Sequence, residues 1–334
     1  VICGGSGAIF WMWLSAFLGG ASAFIESTLA QIYKKKNADG SSYGGPAFYM
    51  RDALNARWLG VIFSVLIIFT YAIGYNMLAA FNLQSTFQVF SFYGDRTPAI
   101  IGVILAALFG AVVIGGAHRL VKVTGVLVPV MGIIYVAISL IVLVLNIGNV
   151  PAMFAGIFKN AFDFQAIFGG FAGSCIMFGI KRGLYSNEAG MGSAPNAAAT
   201  ADVSHPVKQG LVQMLSVFID TMLICTATAF MCLSTNIIPQ NYLGADGSAD
   251  AAGYVQAATA STLGKFGPIF IAFAMCLFAF TTLIGNYSYC EGCIRFIIQR
   301  DIKPGELLAF RLFATALVFV GSIASAGLVW NTAD

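Results

Sequence analysis

The groups in this chain that could do chemistry are few, and they are set into apolar sequence. Glu26, Asp220 and Glu291 lie within or beside long hydrophobic runs. A charge at the centre of a bilayer costs about 2.5–3.5 kcal/mol on insertion scales, so such residues are usually functional or bonded to neighbouring helices. Glu26 (in AFIESTLAQIY) and Asp220 (in LSVFIDTMLICTAT) therefore admit an ion or gating role beside a structural one, whereas Glu291, after a tyrosine-rich stretch, reads as structural. Glu188, in SNEAGMG, is either a cytoplasmic gate residue or a solvated loop acid. Thr281 and Thr282, in FAFTTLIGNYSYC, place two hydroxyls among apolar neighbours. They can bond a carbonyl of their own helix, or offer oxygens to a hard cation such as sodium. Asn76, Asn82 and Gln84 are amides in an apolar run, fit for bonding between helices or for lining a polar pocket. Covalent catalysis has no candidates: His118 and His205 fall at loop positions with no Cys or Ser partner at motif spacing, and the seven cysteines match no metal spacing.

Membrane helices must hold these residues. Of 334 residues 59% are hydrophobic and 9% charged, against about 25% charged in soluble domains. That balance excludes an ordinary cytosolic enzyme, a disordered chain and a secreted disulfide scaffold. The Lys and Arg residues form short clusters between apolar runs and no basic face, so no nucleic-acid partner is expected. Eight apolar segments stand out, at 6–33, 58–92, 97–117, 122–147, 165–180, 207–233, 263–299 and 306–330. A span needs about 20 apolar residues, and none of the segments alternates with a period of two, which argues against a β-barrel. The prediction is an all-α polytopic protein whose outer partner is membrane lipid. Placing successive loops on alternate sides puts 14 of the 17 Lys and Arg residues on one side, which the positive-inside rule makes cytoplasmic.

The fifth segment, AIFGGFAGSCIMFGI, is short and contains Gly169, Gly170, Gly173 and Gly179. A short, glycine-interrupted segment points to a broken helix and a binding site in transporters; the competing explanation is close helix packing. The stretch after it is rich in small residues, and Ser186, Asn187 and Glu188 are fit to cap a helix there. The chain opens VICGG and closes VWNTAD, and both ends read as cut.

SNEAGMGSAPNAAA, at 186–199, resembles the alanine or glycine:cation symporter family, and the surrounding GIKRGLYSNEAGMGSAPNAAATADVSHPVKQG is similar to that family's signature almost throughout. The opening GGSGAIFWMW and the closing VWNTAD are similar to the start of the family's second core helix and the approach to a later one. The resemblance implies the inverted-repeat fold of sodium-coupled amino-acid transporters, with the first helix of each five-helix repeat broken. Residues 1–334 would then form a single transport domain holding core helices two to nine. It further implies sodium-coupled symport of a small neutral amino acid, alanine or glycine, by alternating access in a prokaryotic plasma membrane. The broken sixth helix would bind substrate through Gly169, Gly170, Gly173 and Ser174, with Phe171, Met177 and Phe178 as an apolar wall. Asn76 would line the pocket from helix three. Members of the family carry Gln where this chain has Ala79, so Ala79 would mark lost hydrogen bonding and gained space. Thr281 and Thr282 would ligate the co-transported Na+, and Glu26, Glu188 and Asp220 would gate or support. The alternative is a proton-coupled or exchange-type carrier of D-serine or a larger neutral amino acid with the same fold.

Overall fold

A computed structural model describes residues 1–37, 40–115, 117–163, 175–244, 249–299 and 302–333. Among these, seven helices are long and apolar enough to cross a membrane: Ala8–Ile32, Arg57–Ser85, Thr97–Ile114, Thr124–Leu145, Pro206–Leu233, Phe266–Ile298 and Gly305–Ile323. They coincide with seven of the eight predicted segments. Most of the fifth segment falls outside the described residues, which resume with a helix at Cys175–Asn187. The protein is an all-α polytopic membrane protein. The spans leave large side chains such as Leu18, Phe17 and Ile133 mostly exposed, an arrangement that suits hydrocarbon rather than water.

Two spans depart from regular α-helix at mid-length. Arg57–Ser85 contains a π-helical turn at Ile68–Tyr75, and Pro206–Leu233 contains one at Ile219–Cys225. A π-turn widens the ladder to i→i+5 and is found disproportionately at functional sites. In the second, the Thr226 hydroxyl donates to the Thr221 carbonyl at 3.0 Å, a side-chain bond five residues back along the widened turn.

The chain packs as two units. The first comprises Val1–Phe24, Gly132–Met191 and Leu211–Ile271. Its core gathers Ile9, Met153 and Ile157 with Trp13 and Phe230, and a second cluster of Cys232, Tyr254 and Ala258. Polar bonds inside it are long-range: the Trp11 indole donates to the Ala161 carbonyl at 3.0 Å, and Trp13 donates to the Thr226 hydroxyl at 2.8 Å. Gly179 and Gly183 let the helix Cys175–Asn187 press onto Ala8, Trp11 and Ser15, so Gly179 serves close packing.

The second unit comprises Ile25–Met131, Gly192–Gly210 and Ala272–Asp334. Its core is built from Leu83, Leu105, Phe109, Val113, Leu283, Tyr287 and Val318. At Gly321 a side chain would overlap the backbone of Met77, so two spans meet there main chain to main chain. A hairpin pairs Lys35–Lys36 with Ser42–Tyr43. Beside it Asp52 bonds Arg51 and lies 2.9 Å from the Lys35 ammonium, and these cations hold its carboxyl at about 2.

Candidate functional site

The second unit contains a buried amide pair. The Asn286 Nδ2 donates to the Asn76 Oδ1 at 3.0 Å, joining the spans Phe266–Ile298 and Arg57–Ser85. Asn76, the first residue after the π-turn, is 0% exposed, and its own Nδ2 has no acceptor. A buried donor left unpaired costs about 1–3 kcal/mol, so it asks for a partner. Tyr71 packs edge-on to Tyr75 and to Tyr289 next to this pair, with ring centroids 4.9 and 5.4 Å apart. Ala79, one helical turn beyond Asn76, is half-buried against the core cluster of Ala80, Leu83 and Leu283. Of the other two helix-three amides, Gln84 works locally, its Oε1 accepting from the Tyr93 hydroxyl at 2.6 Å, while at Asn82 it is the backbone carbonyl that accepts from Ser85 and Thr86.

Thr281 and Thr282 point to different surroundings, because neighbours on a helix are about 100° apart. Thr281 is buried and donates to the Leu277 and Phe278 carbonyls, both at 3.0 Å. Its oxygen lone pairs are not consumed by those donated bonds. Thr282 is exposed.

Asp220 lies in the first unit, inside the second π-turn. The Ser186 hydroxyl donates to its Oδ2 at 2.6 Å, and the Asn187 Nδ2 donates to the Thr221 hydroxyl at 3.0 Å. The Asn187 Oδ1 also accepts from the Ala189 N–H at 3.0 Å. Ser186, Asn187 and Glu188 therefore finish a helix rather than start one. The helix Cys175–Asn187 runs into them, and Glu188 adopts a left-handed φ of 53° with its N–H bonded to the Leu184 carbonyl at 2.9 Å. A polar trio after an apolar helix can satisfy backbone groups on either side, so the sequence pattern alone does not say which helix end it caps.

Glu26 is 8% exposed in the second unit. Burial, and after it the Glu26 carboxylate, push the Tyr49 phenol up to about 12. A turn and a half further along that helix, the Gln31 amide donates to the carbonyls of Ala198 (2.5 Å) and Ala201 (2.9 Å), and the Lys34 ammonium donates to Ala201 at 2.8 Å. The signature stretch is thus held by its carbonyls. Gly192, with φ of +79°, turns the chain between Phe63 and Pro46 in a conformation that suits glycine.

Of the predicted substrate residues, Gly169, Gly170, Phe171, Gly173 and Ser174 lie outside the described residues. Met177 is 40% exposed, and Phe178 packs its Cβ near Gly4. A cavity of about 300 Å³ opens in the first unit beside Ser6, Asn149, Met153 and Thr235 and contains none of the predicted residues.

Along its whole length, residues 1–334, the chain matches the model of the sodium:alanine symporter family. The chain belongs to that family. It is 43% identical over 335 residues to the amino-acid carrier protein AlsT of Bacillus subtilis, covering all of this chain and 69% of the relative. It is 42% identical over 334 residues to the probable sodium/glutamine symporter GlnT of the same organism, covering all of this chain and 67% of the relative. It is 36% identical over 341 residues to the sodium/alanine symporter AgcS of Methanococcus maripaludis, covering all of this chain and 72% of the relative. The protein is accordingly a multi-pass membrane carrier of amino acids and not an enzyme, and membership of the sodium:alanine symporter family implies co-transport with sodium.

Asn286 is the residue that reading the sequence missed. A signal for it exists: Phe-Thr-x-x-Ile-Gly occurs at 69–74 and again at 280–285, and an amide follows each copy, Asn76 and Asn286.

Proposed function

We propose that the protein is a sodium-coupled symporter of a small neutral amino acid, alanine or glycine, working by alternating access in a prokaryotic plasma membrane. Residues 1–334 supply one transport domain. The observation that carries this reading is the Asn76 amide. Its Oδ1 is occupied by Asn286 while its Nδ2 is buried without an acceptor, and the carboxylate of a zwitterion supplies such an acceptor. Ala79 stands on the same helix face as Asn76, three residues on. Gly169, Gly170, Phe171, Gly173 and Ser174, with Met177 and Phe178 after them, are assigned to substrate on the short, glycine-interrupted sequence of their segment. A Thr281 or Thr282 hydroxyl supplies an oxygen to Na+. Glu26, Glu188 and Asp220 gate or support the moving parts.

Uptake of labelled alanine into proteoliposomes holding the intact protein, with a sodium gradient and with choline in its place, is the deciding experiment. Uptake that needs sodium and falls at least tenfold in Asn76→Ala supports the reading; equal uptake in choline overturns it. Substituting Val at both Thr281 and Thr282 removes the hydroxyls, and the sodium concentration for half-maximal uptake should rise strongly; unchanged sodium dependence at normal expression sinks that assignment. The segments at 34–57, 118–122 and 300–306 are assigned to the cytoplasm and 234–262 to the outside. A cysteine at Ser248 should therefore label in intact cells with an impermeant thiol reagent.

A second reading is a proton-coupled or exchange-type carrier of D-serine or a larger neutral amino acid. The glutamine named for GlnT, and the name sodium/proton-dependent alanine carrier borne by a Bacillus relative 34% identical to this chain, support keeping it. Uptake in choline driven by a pH gradient would favour it.

A further inference from the structure

The cluster around Asp220 has an uncommon property. Ser186 Oγ lies 2.6 Å from the Asp220 Oδ2 and 2.9 Å from the Cys225 sulfur, and in the second contact either atom can donate. No basic side chain forms an ion pair with Asp220 among the described residues. The helix Cys175–Asn187 carries Lys181, Arg182 and Tyr185 as well as Ser186, and Arg182 lies over the Tyr185 ring at 5.9 Å. The stretches of the first and fourth spans packed on this turn, 8–24 and 132–145, hold one ionisable group, Tyr135, which pairs with the Thr228 hydroxyl at 2.8 Å.

The bonds can be counted for both charge states. With Asp220 ionised, the Ser186 O–H donates to the carboxylate and the Cys225 S–H donates to Ser186. With Asp220 protonated, the acid O–H donates to Ser186 Oγ, and the Ser186 O–H turns to the Cys225 sulfur. The carboxyl and Ser186 are bonded to each other in both states, and only the Cys225 S–H, a weak donor, gives up its acceptor when the proton arrives. A cation, or a backbone N–H in Ser186's place, would serve the ionised form alone. Asp220 also sits mid-span, where intramembrane carboxyls mark ion and proton paths.

We propose that Asp220 is a proton-binding site of the transport cycle, served by a Ser186–Cys225 pair that reverses its hydrogen bonds as the proton enters and leaves. The step is addition of H+ to one carboxylate oxygen and its later loss, with no bond to carbon changed and no electron transferred. The proposal rests on the reading of the protein as an amino-acid carrier, because Ser186 ends the helix that begins where substrate is proposed to bind. Proton and substrate would thus act on one helix from its two ends.

Infrared difference spectroscopy of the intact protein in lipid, across about pH 5 to 8, reads the carboxyl directly and needs no substrate. The expected result is a protonated-carboxyl band that rises as pH falls in the wild type and is missing in Asp220→Asn. Ser186→Ala removes a bond that stabilises the carboxylate, so the midpoint should move up by as much as about one pH unit. Alanine uptake at a fixed sodium gradient should follow the same midpoint in the wild type and lose its pH dependence in Asp220→Asn. A band that persists in Asp220→Asn, no pH-dependent band in the wild type, or uptake indifferent to pH while Asp220 titrates would each overturn the proposal. If Asp220→Asn does not fold, the Ser186→Ala shift carries the test, and an unmoved midpoint overturns it. Absence of alanine uptake under every gradient would instead overturn the carrier reading, with the infrared titration still reporting on Asp220.

Discussion

The two π-turns use one backbone device for opposite ends. At Ile68–Tyr75 the widened turn leads into a neutral amide, Asn76, locked to Asn286 and packed about by tyrosines. At Ile219–Cys225 it holds a carboxyl, Asp220, among hydroxyls and a thiol. An amide keeps its donors and its acceptor whatever the pH; a carboxyl can exchange one for the other. The first arrangement suits a fixed recognition point and the second a group that changes state. Where a wide turn is placed therefore says less about its role than whether the polar side chain beside it can titrate.

The sharpest way to break the comparison is at the amides. Asn286→Ala leaves both ends of the Asn76 side chain unpaired in the membrane and should lower stability by about 2–3 kcal/mol, seen as a drop in melting temperature in detergent. Replacing Asn76 and Asn286 together by Leu should restore most of that stability and still abolish uptake. Recovered uptake would make the pair purely structural. Thr226→Val, at the other turn, removes the donor to the Thr221 carbonyl and the acceptor for Trp13. It should cost about 1–2 kcal/mol with sodium dependence unchanged.

Ala79→Gln sharpens the first region. If Ala79 faces substrate, competition by alanine, glycine, serine and leucine should reorder, by about 1–3 kcal/mol at most. An unchanged rank order with lost stability would place Ala79 in packing. The smallest effect belongs to Asp52. Its carboxyl is held low by Arg51 and Lys35, so its contribution is complete above about pH 4, the unfolded value, and is lost as pH falls towards about 2. Asp52→Asn should change stability at neutral pH by less than about 1 kcal/mol, as surface pairs do, and should flatten that acid limb.

Span positions were readable because lipid demands long apolar runs, and helix ends such as Arg57 and Gly305 fell within a few residues of the predicted limits. The π-turns were not readable: a single wide turn leaves length and hydropathy almost unchanged. Asn76 was visible as a polar residue out of place, but its partner lies 210 positions away, and only the repeated Phe-Thr-x-x-Ile-Gly could have paired them. Ser186, Asn187 and Glu188 were visible as helix-capping residues, but the helix they end was not. Hydroxyl and amide side chains bond backbone on either side, so composition alone does not say which helix they serve.

The bare contact between Gly321 and Met77 has a mechanical consequence. Side chains between helices act as bearings: they change rotamer, and the helices slip. Where main chain rests on main chain there is nothing to slip. Gly102, on the span Thr97–Ile114, instead faces the side chains of Ser322 and Phe319 on the span Gly305–Ile323. The spans Arg57–Ser85 and Gly305–Ile323 are thus welded by the Gly321–Met77 contact into one strut, and a displacement of one during transport is a displacement of the other.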